Sequence, residues 1–120
     1  MVLCVDDDPS QRLLTKLRLE RAGYSVIVAA DRDEARSVLD STPVSAVVLD
    51  YWLRESKGTI FAQEIKNSHP GLPVIILSGF APMLDERIGP ADDWIVKGRD
   101  SESLPERIAR LLDRADETNG

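Results

Sequence analysis

The sequence has little cysteine, no long apolar run and no excess of basic residues. Its single cysteine, Cys4, excludes an internal disulfide and a cysteine-based zinc site, and its apolar neighbours predict a small buried side chain. No apolar stretch approaches the roughly 20 residues that span a bilayer. The acidic run Asp6, Asp7 and Asp8 interrupts the apolar start too early for a signal peptide. We therefore expect a soluble, cytoplasmic protein that does not enter a membrane.

The balance of charge argues against nucleic acid as a partner. The 21 acidic residues outnumber the 15 lysines and arginines, which gives a formal net charge of −6. Binding to a phosphate backbone depends on clustered basic side chains, so we expect no nucleic acid to bind this chain. With 42% hydrophobic and 30% charged residues in a length of 120, the composition is typical of one globular domain.

Short β-branched runs alternate with amphipathic stretches along the chain. The predicted strands are Val2–Val5, Ser25–Ala29, Val44–Leu49, Val74–Leu77 and Trp94–Val96. Predicted helices begin at Pro9, after Asp31, at Gly58 and near Leu104, and a further short or irregular helix is predicted around residues 83–88. Five strands that alternate with helices predict an α/β domain, doubly wound, with a parallel sheet covered on both faces. We expect this domain to span residues 1–116 and residues 117–120 to form a disordered tail.

Two predicted helices carry informative patterns. Leu13, Leu14 and Leu17 share one face of the first helix, which Asp8 is placed to cap. The last helix has the clearest apolar stripe, whose members are Leu104, Ile108, Leu111, Leu112 and Ala115.

Polar residues follow four of the five predicted strands. The acidic run 6–8 follows the first strand, Asp50 the third, Ser78 the fourth and Lys97 the fifth. In open parallel α/β sheets, ligands bind beyond the carboxyl ends of the strands. We therefore expect these carboxylates, this hydroxyl and this amine to gather at one edge of the sheet.

Such a cluster of carboxylates requires a cation or raised pKa values. Two like charges about 4 Å apart repel by about 4 kcal/mol at an effective dielectric constant of 20. Oxygen ligands without His or Cys favour Mg²⁺ over Zn²⁺. A carboxylate beside Mg²⁺, with an ammonium and a hydroxyl opposite, suits attack on a phosphorus whose equatorial oxygens these groups neutralise. The pattern therefore favours transfer of a phosphoryl group to an aspartate.

Four segments together resemble the motif set of two-component response-regulator receiver domains, in the same order as in that family. These segments are Val5–Pro9, Val48–Asp50, Ile76–Gly79 and Trp94–Lys97. The resemblance covers residues 1–115 and implies the flavodoxin-like strand order 2-1-3-4-5, for which receivers serve as a standard example. It also implies a domain that takes a phosphoryl group from a sensor histidine kinase. Such a domain then switches conformation to control a downstream protein or a covalently attached output domain.

The resemblance assigns the acceptor and the metal ligands. Asp50 would be the phosphoacceptor. Asp7, Asp50 and the backbone carbonyl of Trp52 would coordinate Mg²⁺ directly, and Asp6 would hold a water bound to the metal. Such a domain is an autocatalytic acceptor with slow self-dephosphorylation, and no turnover enzyme is expected.

The resemblance also assigns the groups around the phosphate. Lys97 would form an ion pair with the phosphoryl group, and Ser78 would donate a hydrogen bond to it and report its arrival. Trp94 lies where a switching Tyr or Phe is typical of the family. Trp52 and Phe80 are bulky at positions that border the site, and we hypothesise that they restrict water and slow loss of the phosphoryl group.

One departure from the family pattern concerns the residue after the site lysine. Family members commonly carry proline there, joined by a cis bond, whereas Gly98 follows Lys97 in this chain. A cis bond before a residue other than proline costs about 3 kcal/mol. We therefore predict a trans or locally rearranged peptide after Lys97.

Three other functions fit parts of the pattern. The departure at Gly98 keeps open a pseudo-receiver, a binding module that takes no phosphate. Asp6 also fits the nucleophile of a haloacid-dehalogenase-like phosphatase, but the chain has no room for a substrate-capping insert and leaves Asp50 without a role. The pair Asp92-Asp93 also precedes Lys97 where that family needs it to follow. A flavodoxin is disfavoured because its phosphate-binding loop needs Ser, Thr and Gly, whereas the first loop here is acidic.

Overall fold

The computed structural model describes residues 1–53, 57–82, 89–98 and 103–119, with side chains only as far as residue 114. Its strands are β1 (Val2–Val5), β2 (Val26–Ala29), β3 (Ala46–Asp50), β4 (Val74–Ser78) and β5 (Asp93–Val96). The helices of the described part are α1 (Pro9–Arg21), α2 (Arg32–Ser41), α3 (Gly58–Ser68) and α4 (Leu104–Asn119). These elements confirm the predicted alternation. The short helix predicted around residues 83–88 lies outside the described residues.

The five strands form one parallel sheet in the order β2-β1-β3-β4-β5. This arrangement confirms the predicted doubly wound α/β fold and its strand order. In the central part of the sheet, Val5 of β1 lies opposite Leu49 of β3, and Asp50 lies opposite Leu77 of β4. The carboxyl ends of β1, β3, β4 and β5 therefore lie side by side along one edge.

Side chains of alternate strand residues pack into two core layers, one on each face of the sheet. In β1, Leu3 and Val5 belong to one layer, whereas Val2 and Cys4 belong to the other. The apolar runs in β1, β3 and β4 are buried throughout, as parallel strands covered on both faces require. Cys4 is buried as predicted, and its burial raises the pKa of the thiol to about 12.

The leucine face of α1 points to solvent. Leu13, Leu14 and Leu17 share a face as predicted, but they are 55%, 43% and 48% exposed, and the buried residue of this helix is Leu19. The opposite face also carries Arg12, two turns before Leu19, whose guanidinium donates to the backbone carbonyl of Asp6 at 2.7 Å. The face of α1 that carries Arg12 and Leu19 therefore lies toward the rest of the domain, and the leucine face points away from it.

Aspartate side chains cap the amino ends of α1 and α2. The carboxylates of Asp8 and Asp31 accept hydrogen bonds from the amides of Ser10 and Glu34, each at 2.9 Å, and so cap α1 and α2.

The apolar stripe of α4 is also confirmed, because Leu104, Ile108 and Leu111 are buried; Ala115 lies outside the described side chains. Helix α4 continues to Asn119, beyond the predicted domain end at residue 116. Among the residues that the structure describes, no helix combines the length and apolar character that a membrane span requires.

Candidate functional site

Three carboxylates meet at the carboxyl ends of β1 and β3. Asp6, Asp7 and Asp50 each place one oxygen within 4.8 Å of the others. Asp6 and Asp50 are buried, with 5% and 9% of their surface exposed, and Asp7 is partly buried. The pairing of Val5 with Leu49 brings the two following aspartates together, although they lie far apart in the chain. The structure therefore confirms that these acidic residues converge.

Lys97 extends from the end of β5 into this group. Its ammonium nitrogen lies 2.6 Å from Oδ1 of Asp50 and 4.0 Å from Oδ2 of Asp6. The backbone amide of Lys97 donates to the carbonyl of Ser78 at 2.6 Å, which extends the β4–β5 pairing by one residue. The peptide bond to Gly98 is trans, as predicted, and Gly98 has a φ of +82°, a backbone conformation that favours glycine.

The site holds more negative than positive charge. Burial raises the pKa of Asp6 to about 6, and the neighbouring charge of Asp50 acts in the same direction. Burial also raises the pKa of Asp50, against the opposing effect of the Lys97 ammonium. Within the described residues, one ammonium thus faces three carboxylates whose donor atoms are all oxygen. This set of donors fits a hard divalent cation that retains waters, such as Mg²⁺.

Ser78 is the last residue of β4 and is buried. Its hydroxyl oxygen accepts a hydrogen bond from the amide of Phe80 at 3.2 Å. Because the oxygen accepts in this bond, the hydroxyl hydrogen can be donated to another oxygen. The position of β4 between β3 and β5 places Ser78 between Asp50 and Lys97 along the sheet edge.

Four aromatic rings, Tyr51, Trp52, Phe80 and Trp94, form a cluster around Tyr51, the residue that follows Asp50. The Tyr51 ring centroid lies 4.9 Å from that of Trp52, 5.2 Å from Phe80 and 5.3 Å from Trp94. Trp52 and Phe80 are 56% and 40% exposed, whereas Tyr51 is buried at the centre. Tyr51 was missed in the sequence, although its position directly after Asp50 is a signal that could have identified it.

Hydrogen bonds connect Trp94 of β5 to the loop after β4 and to α4. Its indole nitrogen donates to the carbonyl of Phe80 at 3.0 Å. On the other side, Arg107 of α4 donates to the carbonyl of Trp94 at 3.1 Å and contacts the carboxylate of Asp93 at 3.4 Å. Trp94 therefore links the loop after β4 to α4. The sequence did not indicate this role of Arg107, because an arginine on an amphipathic helix carries no sign of the backbone carbonyl that it contacts.

The acidic pair Asp92-Asp93, which the phosphatase hypothesis would require near Asp6, lies outside the acidic cluster. Asp92 accepts hydrogen bonds from the amide of Val74 at 2.8 Å and from the ammonium of Lys66 at 2.6 Å. Asp92 and Asp93 therefore lie near the amino ends of β4 and β5, at the opposite end of parallel strands from Asp6. This placement separates Asp92 and Asp93 from Asp6, so this pair does not join the acidic cluster.

Sequence comparison identifies relatives over nearly the whole chain. The family model of the response regulator receiver domain matches residues 2–109. A probable transcriptional regulator ycf27 from Porphyridium aerugineum is 34% identical in an alignment of length 121 that covers 98% of this chain. The chain spans 50% of the length of that relative.

Solved structures agree with the sequence match. A CheY-like response regulator receiver domain protein from Methanospirillum hungatei has a TM-score of 0.87 and 28% identity, and the match covers 98% of this chain and 96% of that one. The response regulator TrrA from Thermotoga maritima, solved with Mg²⁺ and BeF, has a TM-score of 0.82 and 28% identity over 92% of this chain and 96% of that one. The chain therefore belongs to the response regulator receiver domain family, the signal-receiving units of phosphorylation-based two-component signalling.

Proposed function

We propose that Asp50 accepts a phosphoryl group from a sensor histidine kinase in a Mg²⁺-dependent reaction. The observation that carries this proposal is the contact of 2.6 Å between the Lys97 ammonium and Oδ1 of Asp50 inside the acidic cluster. The same ammonium is 4.0 Å from Oδ2 of Asp6. Asp50 is thus the carboxylate best placed to share the lysine with a transferred phosphoryl group.

The oxygen donors around Asp50 support Mg²⁺ as the metal. The carboxylates of Asp7 and Asp50 and the backbone carbonyl of Trp52 would hold the ion directly, and Asp6 would hold it through a water. The bound ion would neutralise charge on the phosphoryl oxygens. The related TrrA was solved with Mg²⁺ and BeF, which supports the same chemistry here.

Asp50, Lys97 and Ser78 would each have a separate role in phosphoryl transfer. A carboxylate oxygen of Asp50 forms the new bond to phosphorus while the bond from phosphorus to the donor imidazole nitrogen breaks. The electron pair of that bond stays on the imidazole. Lys97 would hold one phosphoryl oxygen by charge, and the hydroxyl of Ser78 would donate a hydrogen to another. The domain would catalyse its own phosphorylation and keep the phosphoryl group on Asp50, and would not act as a turnover enzyme.

The link from Ser78 to Trp94 supports a conformational switch. Ser78 now accepts from the amide of Phe80, and the carbonyl of Phe80 accepts from the indole of Trp94. A phosphoryl group that draws the hydroxyl of Ser78 toward itself would weaken the hydrogen bond from the amide of Phe80. Movement of Phe80 would then alter the hydrogen bond between its carbonyl and the indole of Trp94. Acyl phosphate formation would then shift an existing equilibrium between two arrangements of Ser78 and Trp94. Trp52 and Phe80, which border the site, would slow loss of the phosphoryl group by restricting water.

The proposal extends to the setting of the domain. We propose that residues 1–116 are the receiver unit, that it works in the cytoplasm, and that it binds neither nucleic acid nor membrane itself. Its output would be a downstream protein or a covalently attached domain. The ycf27 relative, whose name describes a probable transcriptional regulator and of which this chain spans 50%, supports an attached domain as one form of output.

Mapping the modified aspartate tests this function. The intact protein is incubated with acetyl phosphate and Mg²⁺, trapped by reduction of the acyl phosphate, digested, and sequenced by mass spectrometry. We expect the label on Asp50, no label in Asp50→Asn, and a retained label in Asp6→Asn. A label on Asp6 would support the phosphatase alternative, and an unlabelled wild type would support the pseudo-receiver.

A further inference from the structure

Gly58, the first residue of α3, is buried against the backbone of the acceptor strand. Its amide donates to the carbonyl of Tyr51 at 2.5 Å. A Cβ placed on Gly58 in ideal geometry would overlap the carbonyl oxygen of Asp50 and lie 3.2 Å from both the carbonyl carbon of Asp50 and the Cα of Tyr51. Gly58 does not have a positive φ, so the close approach, and not a left-handed conformation, requires glycine here.

The elements on both sides of this contact are anchored. Asp50 lies opposite Leu77 in the sheet, and the amide of Tyr51 donates to the carbonyl of Leu77 at 2.7 Å. The rest of α3 is anchored by its buried side chains, which are Phe61, Ala62 and Ile65. A side chain at position 58 would therefore have to displace the peptide of Asp50, the start of α3, or both.

We propose that Gly58 is a positioning residue for the phosphoacceptor, an inference that rests on the proposed function of Asp50. The absence of a side chain lets α3 lie directly on the Asp50 peptide. That contact fixes the carboxylate at 2.6 Å from Lys97 and within reach of Asp6 and Asp7. Displacement of the peptide would disturb the metal donors and the nucleophile together, because Asp50 serves as both.

The test compares Gly58→Ala with Gly71→Ala. A Cβ at Gly71 meets nothing within 4 Å and the residue has no positive φ, so the same chemical change there makes no contact. The initial rate of phosphorylation by acetyl phosphate and the Mg²⁺ midpoint of tryptophan fluorescence are measured for both variants. We expect Gly58→Ala to lose at least about tenfold in rate and to need more Mg²⁺. Gly71→Ala should stay within about twofold of the wild type in both.

A stability control separates positioning from general loss of structure. Ile108→Val trims a buried side chain in the core layer on the α4 side, and should lower the melting temperature without changing the phosphorylation rate. Amide hydrogen exchange of the wild type, Gly58→Ala and Ile108→Val is then measured for each protein at a temperature well below its melting temperature. For Gly58→Ala we expect faster exchange confined to the amides of Tyr51 and residue 58.

Three results would overturn the inference: a Gly58→Ala protein with wild-type rate and Mg²⁺ midpoint, exchange that rises evenly across the sheet, or a variant that does not fold. The last result would show that the glycine serves the fold and not the acceptor. If the wild type itself takes no phosphoryl group, the proposed function fails. The Mg²⁺ midpoint and the exchange pattern of Gly58→Ala then still decide the role of Gly58.

Discussion

The ammonium nitrogen of Lys97 lies 2.6 Å from Oδ1 of Asp50, although 47 positions separate the two residues in the chain. Asp50 ends β3 and Lys97 directly follows β5, and these two strands are not neighbours because β4 lies between them. The lysine side chain therefore reaches past the end of β4, where Ser78 is small and buried. The backbone amide of Lys97 also donates to the carbonyl of Ser78 at 2.6 Å, so the ends of three strands meet at this contact.

Removal of the ammonium should slow phosphorylation with little effect on the fold. We expect Lys97→Ala to reduce the rate of labelling by acetyl phosphate by about 100-fold, the usual cost of losing one group that stabilises charge in a transition state. Lys66→Ala is the matched control, because Lys66 also forms an ion pair of 2.6 Å, with Asp92, but near the opposite edge of the sheet. Equal rates for Lys97→Ala and Lys66→Ala would contradict the role of Lys97.

The buried carboxyl of Asp6 should make folding stability depend on pH when no divalent ion is present. Its pKa is raised by burial from 3.8 to about 6, so folding favours the protonated form. The contribution of this group to stability is complete below its unfolded pKa and is lost as pH rises through about 6. We expect Asp6→Asn, measured by urea unfolding in EDTA, to gain stability over the wild type by about 1.5 kcal/mol as pH rises from 5 to 8, because part of the loss in the wild type has already occurred below pH 5. Parallel stability curves for the two proteins would show that Asp6 does not carry this effect.

Addition of Mg²⁺ should stabilise the folded domain, and EDTA should reverse the gain. An ion that binds only the folded state adds about 2.7 kcal/mol at a concentration 100 times its dissociation constant. We expect Asp7→Asn to abolish most of this gain in a thermal melt. Asp8→Asn is the control, because asparagine caps α1 as well as aspartate while removing the neighbouring charge. A gain that survives in Asp7→Asn would place the ion outside the acidic cluster.

The exposed rings beside the site should lengthen the life of the aspartyl phosphate. We expect Trp52→Ala and Phe80→Ala each to shorten the half-life of the labelled protein by on the order of threefold or more, because water reaches the acyl phosphate more easily. Leu13→Ala removes an apolar side chain of similar exposure from α1 and should leave the half-life unchanged. Unchanged half-lives in both aromatic variants would exclude this role.

The indole of Trp94 should report formation of the phosphorylated state. Beryllofluoride with Mg²⁺ is expected to change the tryptophan emission of the wild type and of Trp52→Phe. The change should be lost in Trp94→Phe, which also lacks the hydrogen bond to the carbonyl of Phe80. A response that instead follows Trp52 would mean that the environment of Trp94 does not change.

Much of the fold follows from local patterns, and the rest depends on contacts between distant residues. The apolar runs and the polar residues after them predicted four strand ends of the site, because the end of a strand is encoded locally. The order of the strands came from the family resemblance, since periodicity does not specify which strands pair. The leucines alone did not indicate which face of α1 is buried, because the buried Leu19 and the contact of Arg12 with the carbonyl of Asp6 lie on the other face.

The missed residues of the site share one property. Tyr51, Gly58 and Arg107 act through rings, backbone atoms or carbonyls that lie on other elements. None of them is a polar residue that directly follows a predicted strand: Tyr51 is apolar in character, Gly58 has no side chain, and Arg107 lies within an amphipathic helix, where a charged residue is ordinary.

The arrangement of the phosphorylated site can be observed in a structure of the intact domain with beryllofluoride and Mn²⁺, in which anomalous scattering locates the metal. We predict one metal held by the carboxylates of Asp7 and Asp50 and the carbonyl of Trp52, with the beryllium bonded to Asp50. We also predict that Lys97 and Ser78 contact separate fluorine atoms. A beryllium bonded to Asp6, or a metal bound away from Asp50, would contradict the assignment of Asp50 as the phosphoacceptor.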